Sequence, residues 1–273
     1  MSGFNITSRD IDVSKFTSEN FAGLKSRFPD SDDETIARYL IARNNDLQKA
    51  TDLLTKATAW RSRRMPVLKE EFAEEFAQGK AYVRGTDKEG RPLLIVHSAK
   101  HDPGNRDIEK CAKMSMWLME HAIKQLPPDK SKYTILLDRT GSAAMGDIEF
   151  SRHFSKLFQD QHPERLHKAI VYPSGIVFWS LFNIVKWFFD PVTRNKISPV
   201  VYLAGVQEFI AEEHIPASMG GKSTYVFNPD DYPDPFPADV IEATRTRKAT
   251  IAPSGKTFFQ PEEDADVGSY DSP

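Results

Sequence analysis

HPERLHKAIVYPSGIVFWSLFNIVKWFFDPVTRNKI, residues 162–197, runs a strand-like segment into a proline and then into a dense apolar stretch. Between Gly175 and Phe189 eleven of fifteen residues are apolar, against 40% for the whole chain. A bilayer crossing needs about twenty apolar residues, so this segment is too short to span one, and Asn183 and Lys186 interrupt it. At about 100° per residue, Ile184, Val177, Phe188, Leu181, Val185, Phe178, Phe189 and Phe182 fall within an arc of roughly 160° that holds no polar residue. The other side mixes Gly175, Ser180, Asn183 and Lys186 with Ile176, Trp179 and Trp187. That mixture fits a buried helix of an α/β domain, and it also fits an interfacial helix whose rings and amine sit at headgroup level.

Outward from this segment, helix and strand patterns alternate. HKAIVYP precedes it and SPVVYLA follows it, both strand-like; YTILLDR is a third short β-rich run. RDIEKCAKMSMWLMEHAIKQL and DIEFSRHFSKLFQ have helical spacing, and AYVRGTDKEGRPLLIVHS reads as two strands around a polar turn from Asp87 to Gly90. Before residue 70 the texture is helical. Ser31 and Glu34 have capping-box spacing, and Leu47, Ala50, Leu53, Leu54, Ala57 and Trp60 recur at helical steps after Asp46. From Val226 onward the chain holds seven of its eighteen prolines and ends in PEEDADVGSYDSP. The expected organisation is a helical domain over 1–70, an α/β domain over 71–226 with a mixed sheet and packed helices, and an extended tail over 227–273.

Composition narrows the function. Thirty-six basic and thirty-nine acidic side chains give a net charge of −3, which offers no chain-wide field for nucleic acid. Cys111 is the single cysteine, so neither an internal disulfide nor a cysteine-cluster metal site can form. The first residues carry no basic-then-apolar signal and no stretch reaches transmembrane length, so a cytoplasmic protein with at most peripheral membrane association is expected. In SMGGKST the glycine that a phosphate loop requires is replaced by Pro216, and GxGxxG, GxSxG and HExxH are absent. His97 and His101 lie where a strand runs into a loop and are not read as a metal pair. Asp138 ends a strand and is read as a turn or helix-cap residue, and Arg61, Arg63 and Arg64 as a helix C-terminus, with a membrane-surface contact as the alternative reading. No catalytic constellation, metal or cofactor is expected.

The block from His162 to Ile197 resembles the signature of the CRAL-TRIO lipid-binding family, in which a PERL-like turn leads to a strand, an aromatic helix and a Pro-x-Thr-x-x-Lys-Ile run. ARYLIARNNDLQKATDLLTKATAWR is similar to that family's N-terminal helices, and DKEGRP and MGGKS match two further landmarks in order. The yeast-type phosphatidylinositol transfer proteins are the most similar branch. The resemblance implies a helical N-terminal bundle before a mixed β-sheet flanked by helices that enclose a lipid pocket. It implies a gate helix at 175–189 whose Val177, Phe178, Leu181, Phe182, Val185, Phe188 and Phe189 line the acyl pocket, its other side meeting the membrane. It also implies phosphatidylinositol as the ligand, its headgroup held by Arg43, Asp87, Glu164, Thr193 and Lys196. The lipid would be extracted from one membrane and delivered elsewhere, without catalysis.

Some positions depart from the pattern. Tyr133 and Ile135 stand where dual-ligand members carry Ser and Thr for a choline phosphate, which argues against phosphatidylcholine. Tyr172 and Ile41 replace an Asn and an Arg. A carrier of another hydrophobic ligand, whether a sterol, another apolar small molecule or haem, and a non-transferring interaction module are the alternative readings. The residues name no protein partner.

Overall fold

Short oxygen-bearing side chains set the helix starts. The computed structural model describes residues 4–142, 147–250 and Phe258. Helices α1 (Ser18–Arg27), α2 (Asp33–Ala42) and α3 (Leu47–Arg64) are capped by Thr17, Asp32 and Asp46, each accepting a backbone N–H from three residues ahead. The cap of α2 is therefore Asp32 rather than Ser31. Its carboxylate takes the Thr35 N–H at 2.7 Å, while Glu34 turns away to accept from Ser8. The three helices bury Leu24, Ile36, Leu40, Ala50 and Leu54 in a core of their own.

A second, larger core begins at Met65. After α4 (Ala73–Ala77) come β1 (Ala81–Thr86), β2 (Pro92–His97), α5 (Ile108–Lys124), β3 (Tyr133–Asp138), α6 (Ile148–Gln161), β4 (Leu166–Tyr172), α7 (Ile176–Val185), α8 (Pro191–Asn195), β5 (Ile197–Pro199) and α9 (Leu203–Gln207). The sheet order is β1-β2-β3-β4-β5, with β1 antiparallel to β2 and the remaining pairs parallel. This is the mixed, helix-flanked sheet that the alternation predicts. The turn between β1 and β2 is held by Asp87, which accepts the N–H groups of Glu89 and Arg91, with Gly90 at a φ of 84°. Leu93, Leu94 and Ile95 are all buried, as in a strand covered on both faces. On α5, Trp117 is fully buried between the rings of Phe72 and Phe76.

Two histidines and a carboxylate noted in the sequence have structural partners. Asp138 receives the Thr140 N–H and lies 2.8 Å from Nδ1 of His97, whereas His101 pairs with Asp147. The two imidazoles thus serve different carboxylates. Among the described residues no cluster of three His, Cys, Asp or Glu is placed to hold a metal, and no helix is long and apolar enough to cross a membrane.

Three expectations need correction. The strand read in SPVVYLA pairs only over Ile197–Pro199, and α9 begins at Leu203. The apolar helix stops at Val185 and tightens into a 3-10 turn over Lys186–Phe188, so its last rings leave the predicted wheel. Residues 227–273 are not simply extended, because α10 (Ala238–Thr250) lies within them. Helix α10 has no apolar stripe to betray it. It is held by charge: Arg245 pairs with Glu70, Arg247 donates to the carbonyls of Ser62 and Met65, and Lys248 reaches Pro66 and Glu71. Further along, Phe258 packs edge-on against Trp60 at 5.1 Å. Residues 251–257 and 259–273 of the expected tail lie outside the described residues.

Two core histidines make stability depend on pH. Burial pushes His121 down to about 4 and holds His162 well below its ordinary value near 6.5. Below pH 6.5 the unfolded imidazoles take up protons that the folded ones refuse, so the unfolded state binds more protons and stability falls as pH drops toward 4. Urea unfolding at pH 7, 6 and 5 is expected to show a steadily falling midpoint. A flat midpoint over that range would contradict the buried, neutral state of both rings.

Candidate functional site

Parallel strands begin at a common edge. The residues just ahead of β3, β4 and β5 therefore lie side by side, although they are far apart in sequence. Lys132 precedes β3, Glu164 sits two residues before β4, and Lys196 directly precedes β5. The Ala169 N–H on β4 donates to the Lys196 carbonyl at 2.9 Å, which sets their register. Glu164 adopts a left-handed φ of 58° in the turn after α6, and its Oε2 atom lies 3.2 Å from Nζ of Lys196 and 3.6 Å from Nζ of Lys132.

Asp87 reaches the same edge through the β1–β2 turn. Its Oδ2 accepts the Thr134 hydroxyl at 2.7 Å and lies 3.8 Å from the Arg91 guanidinium. Arg91 in turn pairs with Asp10 at 2.7 Å, and Asp10 accepts the N–H groups of Ser131 and Lys132. Burial alone would raise the Asp10 carboxyl, yet the Arg91 and backbone hydrogen bonds hold it below its ordinary value. A chain of charges thus runs from Asp87 to Lys196. Beside it lies a cavity of about 170 Å³, lined by Asp87, Lys88, Thr134, His167 and Lys168 among others.

The other two expected headgroup residues are placed differently. Thr193 is buried in α8, and its hydroxyl donates to Asp190 at 2.6 Å, so its proton is already committed; its carbonyl receives the Lys196 N–H. Arg43 ends α2 and donates to the carbonyl of Ala42. Among the described residues no hydrogen bond or ion pair joins Arg43 to the other four. Sequence reasoning missed Lys132, Thr134, His167 and Lys168. Nothing distinguishes a lysine beside a strand from any solvated lysine until the neighbouring strands are in place.

Along α7, Phe178 is 5% exposed, stacks on Phe182 at 5.4 Å and carries the Arg139 guanidinium over its ring at 5.5 Å. Phe182, Phe188 and Phe189 are half-buried, and the side chains of Val177, Leu181 and Val185 lie outside the described residues. Ile184, which the wheel places on the apolar arc, is 47% exposed. Ile176, Trp179 and Trp187 are exposed too, joined on the surface by Val201 and Tyr202. Lys186 and Arg194 both lie over the Trp187 ring.

The chain is thus an α/β domain built on a mixed sheet, with charged side chains at one strand edge and an aromatic helix at the surface. The chain matches the CRAL/TRIO domain over residues 76–221, more than half its length, and it belongs to that family. It is 26% identical to a CRAL-TRIO domain-containing protein of Schizosaccharomyces pombe, over 86% of this chain and 55% of that protein. It is also 26% identical to the phosphatidylinositol transfer protein CSR1 of Eremothecium gossypii, over 97% of this chain and 63% of the relative. With the Sec14 cytosolic factor of Schizosaccharomyces pombe it shares 28% identity, over 70% of this chain and 74% of that protein. The chain thus spans between about half and two thirds of the length of the first two relatives. The crystal structure of Sfh5 superposes with a TM-score of 0.63 at 18% identity, covering 85% of this chain and 91% of that one, which shows the shared fold.

Proposed function

We propose that this chain binds phosphatidylinositol and carries it between membranes, the headgroup at the strand edge and the acyl chains behind α7. The observation that carries this reading is the contact between Glu164 and Lys196, an acceptor for inositol hydroxyls and a cation for the phosphate held 3.2 Å apart by adjacent parallel strands. Asp87, Thr193 and Arg43 are proposed to complete the headgroup shell. The name of the Eremothecium gossypii relative, a phosphatidylinositol transfer protein, supports the same ligand. The helical unit to about residue 70 and the α/β unit that follows it, each built around a core of its own, would act together.

Energetics requires a covering element. Two acyl chains hold about thirty methylenes, and at about 0.8 kcal/mol each their exposure to water would cost roughly 24 kcal/mol. A bilayer offers the same apolar refuge, so a pocket that merely matches it permits exchange, and selectivity falls to the headgroup. Phe178, Phe182, Phe188 and Phe189, with Val177, Leu181 and Val185, are proposed to close over the chains. The exposed Ile176, Trp179, Trp187 and Tyr202 are proposed to meet the bilayer interface, with Lys186 and Arg194 at headgroup level. Such transient, peripheral contact suits a protein working from the cytoplasm.

A charge-assisted hydrogen bond contributes about 1.5–3 kcal/mol, so Lys196→Ala is expected to weaken phosphatidylinositol loading roughly 10- to 150-fold while sparing the fold. Native mass spectrometry of the variant after lipid exposure reads the loading directly. Wild-type occupancy by phosphatidylinositol would overturn the headgroup assignment, and recovery of a sterol or haem alone from the unaltered protein would overturn the ligand.

A further inference from the structure

Glu164 carries one more ammonium than its charge can balance. Its Oε2 atom faces both Lys196 and Lys132, whose side chains are only 18% and 19% exposed. The other acids nearby are engaged elsewhere. Asp10 serves Arg91 and the amides of Ser131 and Lys132, and Asp87 serves Thr134, Glu89 and Arg91. Toward Lys132, Asp10 also adds negative charge and Lys15 a smaller positive one. Within ion-pair distance, two partly desolvated cations thus share one carboxylate.

We propose that Lys132 and Lys196 form a two-pronged clamp on a phosphate group, with Glu164 as the resident counter-ion that keeps both prongs aimed at one point. Burial, and then repulsion from Lys196, lowers the Lys132 pKa from its ordinary value, a penalty that an arriving phosphate would relieve. The clamp rests on the phosphatidylinositol reading for the source of its phosphate. A lipid phosphodiester and a free inositol monophosphate present the same chemistry, and the test separates them. Lys132 sits outside the five headgroup positions that the family pattern supplies, and it is visible only because β3, β4 and β5 start side by side.

Lys132→Met keeps the apolar stem and removes the charge. Transfer of phosphatidylinositol from phosphatidylcholine vesicles doped with it is expected to fall at least about tenfold in Lys132→Met, and again in Lys196→Met. The melting temperature of Lys132→Met is expected to stay level or rise, because Glu164 keeps Lys196 and a buried like charge is gone. Wild-type transfer by Lys132→Met would overturn the clamp, as would loss of transfer together with loss of thermal stability, which would mark a merely structural lysine. If the unaltered protein moves no phosphatidylinositol, calorimetric titration with inositol monophosphate decides the clamp separately. Binding that weakens at least about tenfold in Lys132→Met upholds it for a soluble ligand and places the failure on the lipid reading. Equal binding, or none in either protein, overturns it.

Discussion

Phe182→Asp is expected to abolish lipid loading while leaving a folded protein. The Phe182 ring stacks on Phe178 at 5.4 Å and meets Trp179 edge-on at 6.0 Å, on the side of α7 proposed to close over acyl chains. A carboxylate there faces two poor choices when lipid is bound. It stays ionised against hydrocarbon, which costs several kcal/mol, or it draws water into the pocket and forfeits the apolar seal. Phe178 is the less decisive position, since Arg139 already lies against its ring and could pair with an introduced acid. Ser180→Asp, on an exposed position of the same helix, is the matched control and should load normally. The measurement is the lipid recovered from each purified variant by native mass spectrometry. Equal lipid in Phe182→Asp and the unaltered protein would remove α7 from the carrier mechanism.

Tyr232→Ala is expected to lower stability by about 3–5 kcal/mol, the usual cost of emptying a large aromatic site in a core. Tyr232 is 5% exposed, although it lies beyond the segment that matches the family. Its ring packs edge-on against Phe76 at 5.5 Å and stacks on Phe227 at 5.9 Å, and its hydroxyl donates to the Val83 carbonyl on β1. Two residues on, Asp234 accepts the indole N–H of the buried Trp117 at 2.6 Å and the Lys69 N–H at 2.8 Å. The segment after residue 226 therefore belongs to the α/β core rather than trailing from it. Equilibrium denaturation in urea checks this, and a loss below about 1 kcal/mol would make the segment a superficial strap.

The two expectations differ in how far they could be read from the sequence. Phe182 announces itself, because an apolar run with few polar breaks is unusual wherever it occurs and its helical phase is a local property. Tyr232 does not. It stands among prolines and acids, in a composition that reads as extended chain, and it is buried only because Phe76 and Val83 arrive from distant parts of the sequence. Helix α10 was hidden for a related reason, since its anchors are charge contacts with Glu70, Glu71 and the end of α3 that leave no periodic trace.

By itself, the sequence determined what short-range physics controls. Caps at Asp46, Asp107 and Asp147 started helices where an oxygen could reach a free N–H. Alternation of apolar runs with helical periods specified a mixed sheet covered by helices, and the resemblance of four ordered landmarks supplied the family. Tertiary structure alone decided which of the expected headgroup residues meet. Glu164 and Lys196 come together because β4 and β5 are parallel neighbours in register, Asp87 joins them through Arg91 and Asp10, and Arg43 ends on a separate helical unit with a local partner. It also placed Lys132 3.6 Å from Glu164 and tightened α7 after Val185 instead of letting it run on to Phe189. The physical reason is one of range: caps and periodicity act over about four residues, whereas the charge balance of a site depends on strand order, and strand order depends on contacts across the whole chain.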